Sequence, residues 1–333
     1  MLRRNPLAGL GLLDALLLAC AAASNAACTG GSAASTAPAG FEPARAWAHL
    51  EAQVALGARP SGSAALEQTR EYIEQELARL ELKPVRESFS AKTPKGPVAM
   101  VNIYADLPGR ERRGAPPPIV ILASHFDTKR FDGHWDPARR ADVFLGANDG
   151  ASSTAVLLEL ARVLAAAGPH DVAYRLLFLD GEEAVLWGWE DARGQTDNRY
   201  GSRHHAQAIR KSELRARVKA CVLLDMVGDK DLRLHSDQYS DPVLRAIFER
   251  AARENGLGRH VGGEKIPIKD DHQSFIEAGI PSVDLIDLDF GPDNSWWHTA
   301  DDTPENCSAA SLGIIGRIVL LGLPALEQHV LGR

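Results

Sequence analysis

The chain has 333 residues, of which 45% are hydrophobic and 24% are charged, and its formal net charge at pH 7 is -7. Acidic and basic residues are interspersed, so the sequence lacks the basic patch that nucleic-acid binding requires, and we exclude nucleic acid as a partner. The length and the hydrophobic content suffice for a sizeable core, and we expect a single catalytic domain over residues 41–333.

The N-terminal residues have the composition of an export signal followed by a tether. Two arginines precede a short apolar run that ends in Leu17-Leu18-Ala19-Cys20. This pattern predicts that residues 1–20 are a bacterial signal peptide. The end of this run resembles a lipoprotein processing box, which would leave Cys20 as a lipidated membrane anchor in the periplasm. Cleavage further along, with secretion of the soluble protein, is the alternative. Residues 21–40 are rich in Ala, Ser, Gly and Thr and predict a flexible tether.

After the tether, the spacing of apolar residues predicts helices alternating with strands. In chain order we expect helices over 43–56 and 63–81, strands over 85–91, 99–106 and 118–124, a helix over 151–167, a strand over 174–179, a polar loop over 188–199, a strand over 218–224, helices over 241–255 and 271–278, a strand over 282–287 and a helix over 308–326. The unbroken apolar run 119–123 is typical of a strand buried on both faces. This alternation predicts an α/β fold, a three-layer α/β/α sandwich on a mostly parallel, mixed central sheet.

Polar residues follow three of the predicted strands at the point where each strand ends. His125 follows the strand 118–124, Glu182 and Glu183 follow the next strand, and Asp225 follows the one after that. Ligands of such sheets bind beyond the carboxyl ends of the strands. We therefore expect these side chains to meet at one edge of the sheet.

Asp149 and His298 provide one more carboxylate and one more imidazole that zinc could bind. In the absence of thiolates, zinc binds imidazole nitrogen and carboxylate oxygen, and a catalytic zinc takes about three protein ligands. Each residue also has a simpler interpretation. Asp149 precedes a predicted helix that it could cap, His298 could be a solvated loop histidine, and Glu182 and Glu183 could form a solvated turn. Alternatively, one glutamate could bind metal while the other transfers protons.

Several short motifs, in this order along the chain, resemble those of the zinc aminopeptidase superfamily, which includes the glutaminyl cyclases. They are Ser124-His125-Phe126-Asp127, Gly146-Ala147-Asn148-Asp149, Asp180-Gly181-Glu182-Glu183-Ala184, Leu224-Asp225-Met226, Asp270-Asp271-His272 and Trp297-His298-Thr299. Within the superfamily, residues 125–129, 200–204, 270–272 and 297–302 resemble the corresponding segments of glutaminyl-peptide cyclotransferases.

The resemblance to the cyclotransferases implies a metal site and a set of catalytic residues. One zinc ion would be held by three ligands, Asp149, Glu183 and His298. Glu182 would act as the general acid/base, with Asp225 and Asp271 forming hydrogen bonds around it. Trp297 would wall the substrate pocket, and Trp187 or Trp189 would supply a second aromatic side chain. The substrate would be the N-terminus of a peptide or protein.

Two other functions stay open at this point. In a di-zinc aminopeptidase, His125 and Asp225 would hold a second zinc with Asp149 bridging the two ions, and Asn148-Asp149-Gly150 resembles the peptidase version of this motif. A surface-anchored binding protein without catalysis is the third interpretation. The cysteine pair of the animal cyclases is replaced by Ser124 and Thr154.

Overall fold

The computed structural model describes residues 40–111, 114–189, 194 and 196–333. The predicted export signal, Cys20 and nearly all of the predicted tether lie outside the described residues, so those assignments stay predictions. The helices are α1 (Pro43–Val54), α2 (Ala64–Arg79), α3 (Ser153–Ala167), α4 (Tyr200–Arg210), α5 (Pro242–Glu254), α6 (His272–Glu277) and α7 (Ala309–Val330). The strands are β1 (Val85–Thr93), β2 (Gly96–Leu107), β3 (Ile119–His125), β4 (Ala173–Leu179), β5 (Val218–Asp225) and β6 (Ser282–Ile286).

All six strands belong to one mixed sheet, in the order β1-β2-β4-β3-β5-β6. The hairpin β1-β2 and the pair β2-β4 are antiparallel, whereas β3 runs parallel to both β4 and β5, and β5 runs parallel to β6. The parallel pairs are the ones joined through helices, as crossover connections require. The predicted mostly parallel, mixed sheet is confirmed.

Helices cover both faces of the sheet, and β3 shows how the sequence achieves this. All of its residues are buried. Val120 and Leu122 pack into a core shared with α1, α3, α5 and α7, whereas Ile121 and Ala123 pack into a second core with α4 and α6. Because successive side chains of a strand point to opposite faces, a continuous apolar run fits only a sheet that is covered twice. The predicted three-layer sandwich is confirmed.

The predicted helices and strands are all present, with small shifts at their ends. The largest is at α7, which continues to Val330 instead of ending at residue 326. Helix α4 was not predicted, because its first turn contains Gly201 and Ser202, which are poor helix formers. Gly201 is there for packing: a Cβ at this position would collide with Asn102 Oδ1 and the carbonyl oxygen of Asp180.

Two polar side chains make a contact in the buried core near the sheet edge. Ser124 Oγ lies 3.2 Å from Thr154 Oγ1, and Thr154 Oγ1 also donates to the carbonyl oxygen of His125 at 2.8 Å. These are the two positions at which the sequence has serine and threonine in place of the cysteine pair of the animal cyclases. Cys221 and Cys307 are both buried and free.

Candidate active site

The carboxyl ends of the parallel strands bring the predicted site residues to one edge. His125 ends β3 and is in register with Leu179, the last residue of β4, while Asp225 ends β5 and is in register with Ile286 at the end of β6. Because these strands run in the same direction, the turns that follow them meet above the same edge.

The turn after β4 holds Glu182 and Glu183 in fixed positions. Gly181 has a positive φ of 71°, and a Cβ there would lie 2.6 Å from Met100 Sδ, so this turn requires glycine. The Asp127 carboxylate accepts the backbone N–H groups of Glu182 and Glu183 at 3.1 and 3.2 Å. One buried acid therefore orients the segment that carries both glutamates.

A second buried acid orients Asp149. The carboxylate of Asp302 accepts the N–H groups of Asn148 at 2.6 Å and Asp149 at 3.0 Å. Asp149 itself has non-helical angles (φ -85°, ψ 99°), and Gly150 follows with φ 97°. Asp149 does not cap α3; its carboxylate lies beside His125 and His298 instead.

Asp149, Glu183 and His298, which we call the His298 cluster, present three metal-ligand atoms within 4.8 Å of one another. His298 Nε2 lies 3.2 Å from Asp149 Oδ2 and 3.1 Å from Glu183 Oε1. Glu183 Oε1 is buried and has no hydrogen-bond partner among the described residues, a costly state that a bound cation would relieve. One imidazole and two carboxylates are ligand types that zinc accepts, so these residues fit a metal ion.

His125, Asp149 and Asp225, which we call the His125 cluster, also bring ligand atoms within 4.8 Å of one another. Here His125 Nε2 hydrogen-bonds to Asp225 Oδ1 at 3.0 Å and lies 3.3 Å from Asp149 Oδ1. Burial alone would lower the pKa of His125, but the carboxylates of Asp225, Asp127 and Asp149 outweigh it and raise that pKa well above its usual value. The pKa of His298 behaves in the same way, because the carboxylates of Glu183 and Asp149 outweigh the effect of burial and raise it.

Lys129 contacts the His298 cluster and was not among the predicted site residues. Its Nζ donates to Glu183 Oε2 at 2.9 Å, and both side chains are buried. Burial opposes ionisation of Glu183, but the charges of Lys129 and His298 lower its pKa below the usual value. The only signal for Lys129 in the sequence was its place in the segment 125–129, which gave no hint that its charge is buried.

The pKa of Glu182 is shifted in the opposite direction to that of Glu183. It is buried, and its pKa is raised well above the usual value by that burial and then by the negative charge of Glu183. The two adjacent carboxylates therefore differ in their affinity for a proton. Such a difference between neighbouring acids is typical of a group that transfers protons beside one that stays ionised.

A cavity of about 410 Å³ opens above these residues. Its floor carries the carboxyl groups of Asp149, Glu182, Asp225 and Asp270, together with His298. Its walls and rim are formed mainly by aromatic and aliphatic side chains, including Trp189, Met226, Tyr239, Ile268, Leu288 and Trp297. The Trp297 ring stacks on His298 with a centroid separation of 4.1 Å, and Trp297 is 38% exposed. The cavity has the size and mixed lining of a small-ligand site.

Four predicted site residues do not line this cavity, namely His125, Glu183, Asp271 and Trp187. Asp270 lines it in place of its neighbour Asp271, which is fully buried and whose pKa is raised to about 6 by that burial. Trp187 lines an adjacent cavity and packs 4.0 Å from the His134 ring, whereas Trp189 lines both cavities. Which of two adjacent acids faces the cavity depends on the direction of the backbone at the start of α6, which the sequence does not reveal.

Comparisons with known proteins agree with the resemblance. The model of the family described as Peptidase family M28 matches residues 102–322. A glutaminyl-peptide cyclotransferase-like protein of Mus musculus is 34% identical over 85% of this chain and 76% of its own, and a glutaminyl-peptide cyclotransferase of Bos taurus is 30% identical over 75% and 73%.

A solved structure gives the same assignment. The crystal structure of an Acidobacteriales bacterium glutaminyl cyclase matches with a TM-score of 0.79 and 32% identity, covering 89% of this chain and 98% of that one. The fold, the order of the motifs and the sequence identity agree. The chain belongs to peptidase family M28 and, within it, groups with the glutaminyl-peptide cyclotransferases.

Proposed function

We propose that this protein is a zinc-dependent glutaminyl-peptide cyclotransferase that converts the N-terminal glutamine of peptides to pyroglutamate and releases ammonia. The observation that carries this proposal is the pair Glu182 and Glu183. Glu183 has a lowered pKa and one oxygen without a hydrogen-bond partner among the described residues, and Glu182 has a raised pKa on the floor of a mostly apolar cavity.

The His298 cluster would hold the zinc ion. Bound there, zinc supplies Lewis acidity toward the γ-carboxamide group of the substrate. Lys129 sets the charge of this site, because it neutralises part of the negative charge of Glu183 and orients its carboxylate through Oε2. Oε1 of the same group is thereby directed toward Asp149 and His298.

Glu182 provides the proton transfers. It accepts a proton from the α-amino group of the substrate as that nitrogen attacks the side-chain carbonyl carbon, and a new C–N bond closes the five-membered ring. The bond to the amide nitrogen then breaks, and Glu182 returns the proton so that ammonia leaves. Asp225 and Asp270 also line the floor, and their carboxyl groups favour the binding of a substrate amine there.

The cavity walls suit an intramolecular reaction. Cyclisation consumes no water, and large apolar side chains such as Trp189 and Trp297 reduce the access of water to the reacting carbonyl group. A peptidase, in contrast, must admit and activate a water molecule. His298 lines the cavity whereas His125 does not, which favours a single metal ion at the His298 cluster and the cyclotransferase over the di-zinc aminopeptidase.

The test combines metal content with two activity assays on the purified full chain. We expect one zinc per chain, ammonia release from a Gln-initiated peptide and little amino-acid release from a Leu-initiated peptide. Two zinc ions together with leucine release would instead establish an aminopeptidase. A zinc-loaded protein that turns over neither peptide would support the binding-protein interpretation.

A further inference from the structure

The rim of the active-site cavity carries a single flexible cation. Lys269 is the one lysine or arginine among the cavity-lining residues. Its side chain is exposed, and within the described ranges its Nζ makes neither an ion pair nor a hydrogen bond. An unpaired cation beside apolar rim residues such as Tyr239 and Pro267 is available to a ligand.

The backbone on both sides of Lys269 is fixed. The N–H of Ile268 donates to Asp237 Oδ1 at 2.9 Å, and the carbonyl oxygen of Ile268 accepts from Gln273 Nε2 at 3.2 Å. The carbonyl oxygen of Asp270 accepts from Arg199 Nη1 at 3.3 Å. The attachment point of the Lys269 side chain is therefore held at the rim, and only the side chain itself is free to move.

The proposed reaction determines which part of a substrate reaches this rim. The α-amine and the glutamine side chain must both lie on the floor, near Glu182 and the His298 cluster. The peptide bond that follows leads outward, so the next residues of the peptide pass between the rim side chains.

We infer that Lys269 is a specificity-determining residue that favours peptides with glutamate or aspartate in the two positions after the N-terminal glutamine. This inference rests on the proposed function. A side-chain carboxylate at either position would pair with the Lys269 ammonium, whereas a lysine there would be repelled. The floor carboxylates are buried, whereas Lys269 is exposed. Lys269 is therefore the exposed charge that an acidic side chain at the rim can reach.

The experiment compares amidated tripeptides, which lack a terminal carboxylate, by ammonia release from the zinc-loaded full chain. The first set is Gln-Glu-Ala, Gln-Gln-Ala and Gln-Lys-Ala. The second set has the variable residue in third position: Gln-Ala-Glu, Gln-Ala-Gln and Gln-Ala-Lys. Exposed ion pairs are weak, so for the better of the two positions we expect kcat/KM for Glu to exceed that for Gln by about two- to fivefold. The difference should appear mainly in KM, because the pair forms in the ground state and in the transition state alike.

Variants of Lys269 then test the assignment. In Lys269→Gln the ratio of Glu to Gln peptides should fall to about one, and in Lys269→Glu the Lys peptide should become the preferred one. Raising the salt concentration to 1 M should abolish the preference of the unmodified protein. Lys83→Gln, which changes an exposed lysine outside the cavity lining, is the matched control and should leave the ratio unchanged.

Equal kcat/KM for the Glu and Gln peptides at both positions would overturn the inference, as would a preference that persists in Lys269→Gln. A failure of the proposed function would look different. If the protein is not a cyclotransferase, none of the peptides, including the neutral Gln-Gln-Ala, would release ammonia.

Discussion

The His298 cluster and the His125 cluster share Asp149 and each combine one imidazole with two carboxylates, yet their histidines differ in exposure. The His125 side chain is 1% exposed and bonds to Asp225, whereas the His298 side chain is 13% exposed at the cavity. Each cluster contains one buried atom without a hydrogen-bond partner among the described residues, Glu183 Oε1 in the first and His125 Nδ1 in the second. Both clusters contain ligand types that zinc accepts, and the exposure of His298 at the cavity is the difference on which we base the proposal of zinc there.

The largest expected effect concerns Glu182, which belongs to neither cluster. Glu182→Gln keeps the size of the side chain but removes the proton acceptor, so we expect kcat to fall by about 10²–10⁴-fold while zinc stays bound. Ammonia release and metal content measured on the same preparation check this. Glu51→Gln, an exposed change on α1, is the control. Retained activity would remove Glu182 from its proposed role.

Removing each histidine tests the comparison directly. His298→Ala deletes one of three proposed ligands and should weaken zinc binding by more than about 100-fold, since even the loss of an outer partner of a ligand costs 10–100-fold. His125→Ala should still bind one zinc per chain, although it leaves Asp225 without its partner.

Zinc titration of both variants, with His329→Ala as a surface control, is the measurement. If the unmodified protein binds two zinc ions and His125→Ala binds one, both clusters are metal sites and the distinction between them is wrong.

Lys129 contacts the His298 cluster through Glu183, so a Lys129 variant tests how the two clusters differ. Lys129→Met leaves the buried Glu183 carboxylate without its ammonium partner, which should destabilise the metal-free protein by about 3 kcal/mol. The loss should be smaller with zinc present, because the ion then compensates the same charge.

Denaturant unfolding with a chelator and with excess zinc would measure both values, with Lys83→Met as the control. An equal loss in the two conditions would mean that Glu183 does not face the metal.

The smallest effect lies outside both clusters, at Asp287. Burial is the main reason why the pKa of Asp287 is raised from 3.8 to about 8. The folded state therefore favours the protonated form of Asp287. The resulting contribution to the free energy of unfolding is fully present below about pH 4 and is lost as the pH rises to 8. Asp287→Asn keeps an acceptor for the Arg233 N–H without the charge. Its Tm should exceed that of the unmodified protein by a few degrees at pH 8 and approach it as the pH falls to 4. Parallel Tm profiles across this range would contradict the assignment.

The sequence predicted most of the fold and much of this site because both depend on strong local patterns. The run 119–123 had to lie in a sheet covered on both faces, and polar residues at strand ends had to meet at one edge. Other features depend on contacts between distant segments. Helix α4 forms around the close approach of Gly201 to Asn102, and no local pattern distinguishes Asp270 from Asp271 or shows that Lys129 is buried against Glu183.

The contact between Ser124 and Thr154 has a consequence for the environments that the domain tolerates. At these positions a hydrogen bond joins β3 to α3, and a thiol reductant has no effect on such a bond. The two cysteines of the described domain are buried and unbonded to each other, so they contribute packing but no cross-link. Within the described part of the chain, the stability of the fold therefore does not depend on whether its surroundings are oxidising or reducing.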